Sequence, residues 1–281
     1  MITTCIAISN MSGIVCASDA NHTIYQLSRR QPLAIAVNPH SPIPWDNIIH
    51  GYKEKGEIEA KENFEECALN FLDHLYSYEV EDSWKNLSLN DGNIIFMGYG
   101  KEDMFPCLYD VILQYNSETS KLEAHNTYTQ IAHNQRSAIN LLGNLDSVST
   151  LIWGANAATN QYLLKKHMEL FEIYKQRVIE RFKGTKAEDF VIRKLEAYDP
   201  ERAFDGIINQ SMDETYNEVA MGIDTFSIED MVSAAETIIN AEVRLDHLIS
   251  GCKEPLHRTQ EIAVITRTEG LTWIKHSLYA I

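Results

Sequence analysis

Two apolar, partly alternating stretches open the chain, TTCIAIS (residues 3–9) and GIVCASD (13–19), and only Asn10-Met11-Ser12-Gly13 separates them. A connection that short joins antiparallel strands; a parallel pair needs a crossover of a dozen residues or more. The same device recurs at the far end, where EIAVITRT (261–268) and LTWIKHSLY (271–279) flank Glu269-Gly270. Between them, LAIAVN (33–38), NIIFMGYG (93–100), LYDVILQYN (108–116) and STLIWGA (149–155) read as further strands. The stretch NPHSPIPW (38–45) holds three of the seven prolines and reads as a loop.

Helical periodicity appears over 56–77, where Ala60, Phe64, Cys67, Ala68, Phe71, Leu72 and Leu75 share one face. Residues 130–142 read as a second helix ending near Gly143. Residues 157–219 are rich in Lys, Glu, Gln, Arg and Leu and nearly free of strand signals, with Leu163, Leu164, Met168, Phe171, Tyr174 and Val178 reading as one apolar stripe. Ser227-Ile-Glu-Asp230 is a capping-box pattern that opens a helix to about Leu248. Strands joined by tight turns, with helices segregated from them, predict an α+β fold or a layered αββα architecture of largely antiparallel sheets.

The chain has 281 residues and a formal net charge of −16. Such an acidic surface repels phosphate backbones and anionic lipid, so nucleic acid and membranes are poor partners. No apolar run approaches the ~20 residues that span a bilayer, and no secretory signal is visible, so a cytoplasmic protein is expected. Five cysteines, odd in number and widely spaced without a CxxC pair, predict reduced thiols, with Cys5 and Cys16 facing the core. Ten scattered histidines form no HExxH or HxxxH pattern, and GYGKEDMF (98–105) lacks phosphate-loop spacing. No cofactor and no metal site are expected.

The chemistry-bearing candidates lie in the first hairpin. An exposed N-terminal threonine is nucleophile and base together, its α-amine of pKa near ~8 taking the hydroxyl proton. Such a site also needs a carboxylate, a nearby cation and backbone N–H groups for the oxyanion. Strand pairing across the 10–13 turn brings Thr3 and Asp19 near each other. TTCIAISNMSGIVCASDAN resembles the first hairpin of proteasome β subunits and their bacterial homologues, the N-terminal-nucleophile (Ntn) hydrolases. IIFMGYG with Pro106-Cys107-Leu108-Tyr109-Asp110, SIEDMVSAAETIINAEVRLDHLISG and IAVITRTEGLTWI are similar to later segments of that family, in the same order.

The resemblance covers roughly 3–40, 55–155 and 225–280, and implies one domain over 1–281, a four-layer αββα sandwich with a helical insertion at about 157–225. It places Thr3 at the nucleophile position, Asp19 at the carboxylate position, Asp246 and Ser250 near the assisting pair, and Asn38 at the oxyanion position. It also implies a homo-oligomer, ring-like or dimeric, and the insertion offers a surface for a protein partner. If active, such a protein is a threonine-type peptidase or amidohydrolase.

Three departures qualify that expectation. Ile2 is too large for ordinary removal of the initiator methionine, and no glycine precedes Thr3 for autocleavage. Thr23 stands where the family has a lysine, and an uncharged hydroxyl cannot lower a neighbour's pKa by Coulomb attraction. Asn38-Pro39 replaces a Gly-Gly pair, and Pro39 has no N–H to donate. Together they predict a proteasome-like protein impaired as a peptidase, acting in assembly or binding; the alternative is a threonine hydrolase active once processed to Thr3.

Overall fold

The computed structural model of the chain describes residues 3–28, 31–54, 63–88, 91–130, 136–143, 146–154, 157–250 and 260–276. It is a mixed α+β structure with two antiparallel sheets. By internal contacts it divides into two compact units, one from residues 1–145 and 220–281, the other from residues 146–219.

The first unit holds all ten described strands. β1 (Cys5–Asn10), β2 (Gly13–Ser18), β8 (Ser137–Leu142), β9 (Glu261–Thr266) and β10 (Gly270–Lys275) form one sheet in the order β10-β9-β2-β1-β8. β3 (Ile24–Ser28), β4 (Leu33–Val37), β5 (Asn93–Gly98), β6 (Cys107–Asn116) and β7 (Lys121–Gln130) form the other in chain order. The opening hairpin pairs Cys5 with Ser18 through Asn10 with Gly13.

Alternation along the strands divides their side chains between two cores. In β4, Leu33, Ile35 and Val37 join a core with helices α1 (Trp45–Glu54) and α2 (Phe64–Tyr76), while Ala34 and Ala36 join a core shared with the first sheet. β5 does the same, with Ile94 and Phe96 on the helix side and Ile95 and Met97 on the other. The first sheet contributes Cys5, Ala7, Ile14, Cys16, Ala263 and Ile265 to the shared core. Helix α7 (Ile228–Ser250) packs on β1, β2 and β9, burying Met231, Ala235 and Ile239 at four-residue intervals. Its start is a closed capping box: Asp230 N–H donates to Ser227 Oγ at 3.1 Å, and Ser227 N–H to Asp230 Oδ2 at 3.2 Å. α2 is capped by Asn63, whose side chain accepts from the Glu66 amide at 2.9 Å.

A charge lies between the sheets at Asp110. Asp110 on β6 accepts from Asn140 of β8, and its Oδ1 is buried without a hydrogen-bond partner among the described residues. Burial pushes its carboxyl up to about 6, against the opposing effect of the Asn140 bond.

The second unit is helical: α3 (Asp146–Trp153), α4 (Ala157–Phe182), α5 (Glu188–Glu196) and most of α6 (Pro200–Asp224). α4 turns its Leu164, His167, Met168, Phe171 and Val178 face inward, where Phe171 meets Tyr198 at 5.1 Å and His167 meets Phe204 at 5.5 Å between ring centres. Leu163 and Tyr174, expected on that stripe, point outward instead and are exposed. At 100° per residue they lie about 60–80° round the helix from Phe171, at the edge of its inward face.

Two expected elements exchange type. Residues 137–142 form strand β8, not the end of a helix; pairing of Ile139 with Ile8 along the β1 edge prevails over a pattern with no strict alternation. Residues 146–153 form α3, not a strand; the β-branched residues suggested a strand, but buried Val148 and Ile152 stand four apart, a helical interval. Residues 55–62, 131–135 and 277–281, which carry parts of the expected first and second helices and last strand, lie outside the described residues. Among the described residues no helix is long and apolar enough to cross a membrane.

Phe71 is fully buried against Tyr52 and Phe96, so Phe71→Ala is expected to cost ~3–5 kcal/mol in denaturant unfolding. Asp110 titrates higher in the folded chain than its reference 3.8, so the folded state binds that proton more tightly. Its contribution therefore declines as pH rises from about 4 to about 6, a loss of up to ~3 kcal/mol at neutral pH. Asp110→Asn, which keeps an acceptor for Asn140, is expected to raise stability at pH 7 and flatten that part of the stability–pH curve.

Candidate functional site

The head of β1 lies among the ends of β2, β8 and β9. Thr3 is 2% exposed, and its Oγ1 is buried without a hydrogen-bond partner among the described residues. Because Cys5 pairs with Ser18, the next rung sets Thr4 opposite Asp19. Asp19 Oδ1 accepts from the Thr4 amide at 2.8 Å, and the Asp19 amide donates to the Thr4 carbonyl at 3.1 Å. Asp19 thus grips the backbone beside Thr3 and makes no hydrogen bond with the Thr3 hydroxyl. On the other flank stands Gly143, with φ +100°; a Cβ there would lie 1.7 Å from the Thr3 carbonyl oxygen, so only glycine admits this approach.

Thr23 is fully buried, and its hydroxyl donates to the Ala20 carbonyl at 3.1 Å, closing the turn that follows β2. His22 in that turn has φ +58°, and the amides of His22, Thr23 and Ile24 converge on one carboxylate. That carboxylate is Glu261, the first residue of β9 and 1% exposed. Its Oε1 accepts from His22 at 3.0 Å, and its Oε2 accepts from Thr23 at 3.2 Å and Ile24 at 3.0 Å. His276 Nδ1 stands 3.4 Å from Oε1, with its ring stacked on Trp273. Successive amides around a left-handed residue make an anion-binding concavity, and here the chain fills it with its own side chain.

The electrostatic consequence is read at Cys5, the residue after Thr4. The Cys16 contact, with sulfurs 3.5 Å apart, and then burial push the Cys5 thiol well above its ordinary range, and the charges of Glu261 and Asp19 push it further.

Asn38 is buried just past β4 and connects to Thr23 through the preceding amide, Val37 N–H donating to the Thr23 carbonyl at 2.9 Å. Its other polar groups serve a turn: Oδ1 accepts from His40 at 3.0 Å, the carbonyl accepts from Ser41 at 3.1 Å, and Nδ2 donates to Asp91 at 3.2 Å. Asp246 and Ser250 belong to the last turns of α7, and their side chains lie outside the described residues. α7 begins beside the opposite end of the hairpin, since Asn10 Nδ2 donates to the carbonyls of Ile223 and Phe226 at 3.0 and 2.9 Å.

Glu261 is the site residue that sequence reasoning missed. Its one sequence signal is a charge heading a strand, EIAVIT, that is otherwise apolar but for its final threonine. Among the described residues no group of three or more His, Cys, Asp or Glu is arranged to hold a metal ion.

Gly143→Ala is expected to displace the Thr3 backbone and to destabilise the chain by more than ~3 kcal/mol, or to prevent folding, as read by thermal unfolding. No family model matches the chain, and no curated protein matches it.

Proposed function

We propose that this chain is a divergent proteasome-like protein of the Ntn-hydrolase type, a four-layer αββα sandwich carrying a helical insertion, and that it works in assembly or binding and not as a peptidase. The stacking of two antiparallel sheets, with α1 and α2 against one and α7 against the other, supports the layered reading.

The observation that carries the functional reading is Glu261. Threonine chemistry of this type calls for a cation beside the nucleophile, to hold the attacking oxygen as an anion and the amine as a neutral base. Here Thr23 stands at the lysine's position, and a buried carboxylate fills the three amides around it. A negative charge near the nucleophile would raise the cost of forming an alkoxide, which supports the non-peptidase reading.

The second reading, an active threonine hydrolase exposed by processing, is favoured by one observation. Thr3 Oγ1 is a buried polar atom with no partner among the described residues, the kind of group that structural uses rarely leave unpaired.

Intact-mass measurement of the chain from its native host, before and after exposure to a peptide epoxyketone, decides between them. That reagent needs both hydroxyl and free amine. The expected result is no adduct, and no amide hydrolysis that Thr3→Ala removes. An adduct that disappears in Thr3→Ala establishes the second reading.

A further inference from the structure

The β6–β7 hairpin reaches beyond its sheet. β6 pairs with β5 only as far as Ile112, while its pairing with β7 continues to Asn116 and Lys121. The overhang stands against α2 and the short 3-10 helix Asp82–Asn86, and a cleft of about 550 Å³ opens there. That volume is in the range of small-molecule sites, and the lining is of the same kind, apolar and aromatic with a few polar groups. Leu75, Val80 and Leu122 supply apolar wall, and the hairpin register sets Tyr115 opposite Leu122. Tyr76 and Tyr78, at the end of α2 and just past it, add two more aromatic rings. Burial, and then the charge of Asp73, hold the Tyr76 hydroxyl above its ordinary range, so it stays neutral.

The charged groups of the lining are not equivalent. Lys85 Nζ is held by Asp82 at 2.6 Å, and that pair cancels its charge. Glu79 and Lys121 are exposed, and their side chains have no ion pair or hydrogen bond among the described residues. They come from different walls, Glu79 from the chain leaving α2 and Lys121 from the start of β7. Outside the lining, Asp73 and Glu123 act on Tyr76, and Glu123 is occupied by Asn116 Nδ2 at 2.7 Å and Thr119 Oγ1 at 3.2 Å. With Lys85 neutralised and these acids nearby, the cleft does not suit a simple anion. With Lys121 on its wall, it does not suit a simple cation. An apolar wall between one open carboxylate and one open ammonium suits a ligand that carries both charges.

We propose that this cleft binds a small zwitterion with an apolar body, its ammonium at Glu79, its carboxylate at Lys121 and its body against Leu75, Val80 and the tyrosine rings. A free hydrophobic amino acid and a short apolar peptide share that chemistry. None of the lining residues belongs to the head of β1, so the proposal stands or falls apart from the reading of Thr3.

The test is calorimetric titration of the full chain with phenylalanine and with diphenylalanine. Each is also used as its N-acetyl form, which lacks the ammonium, and as its carboxamide, which lacks the carboxylate. At least one parent is expected to bind saturably, and each of its single-charge forms about fivefold more weakly, the effect of one exposed ion pair. Tighter binding of phenylalanine assigns the site to free amino acids, and tighter binding of diphenylalanine assigns it to peptide. Lys121→Gln is expected to abolish the parent's advantage over the carboxamide, and Glu79→Gln its advantage over the N-acetyl form. Both residues are exposed, and unchanged thermal unfolding checks that the fold is kept. Val80→Trp, which fills the cleft, is expected to abolish binding of every form.

Absence of saturable binding by both parents overturns the proposal. So does a carboxamide that binds as well as its parent, which shows only a cation drawn to the acids nearby. An N-acetyl form that binds as well as its parent shows only an anion at Lys121, and overturns it too. Discrimination that survives the matching variant, or binding untouched by Val80→Trp in a folded chain, places the ligand elsewhere and contradicts it.

Discussion

Every residue of β1 and β2 is buried, and the rest of the first unit follows from that burial. A strand with no exposed position needs cover on both faces. One face is met by the second sheet through Cys5, Ala7, Ile14 and Cys16, and the other by α7 through Met231, Ala235 and Ile239. The second sheet repeats the arrangement, with its own outer face closed by α1 and α2. Small residues at Ala34, Ala36 and Ala263 line the shared core. Asp110 on β6 reaches Asn140 of the first sheet, and burial pushes its carboxyl up.

The same burial governs the head of the hairpin. Thr3 and Thr23 are enclosed, and Glu261 enters from β9 because that strand pairs beside β2, with Glu261 opposite Ser18. Three backbone amides that would otherwise be buried without partners are satisfied by one carboxylate.

Much of the fold was legible because its signals are local. The 10–13 turn, the Glu269-Gly270 turn and the Ser227–Asp230 capping box each specify geometry within a few residues. β8 and α3 were misread because their type depends on distant partners and on period over composition: β8 is a strand because β1 offers an edge. The outward turn of Leu163 and Tyr174 was hidden for a similar reason, since an apolar residue on a helix does not announce which neighbour it lacks. At the head of the hairpin, the nearness of Asp19 to the Thr3-Thr4 backbone was visible from strand pairing. Glu261 was not, because 238 residues separate it from the Thr23 amide it accepts.

The central claim is that the field at the head of β1 is acidic and does not support a threonine nucleophile. The most direct measurement uses a chain whose first residue is Thr3, so that the free amine is supplied, and reads epoxyketone adduct formation by mass. The account predicts no adduct for that chain, and an adduct only when Thr23→Lys and Glu261→Gln are introduced together. Adduct formation with Thr23 and Glu261 unchanged would contradict it.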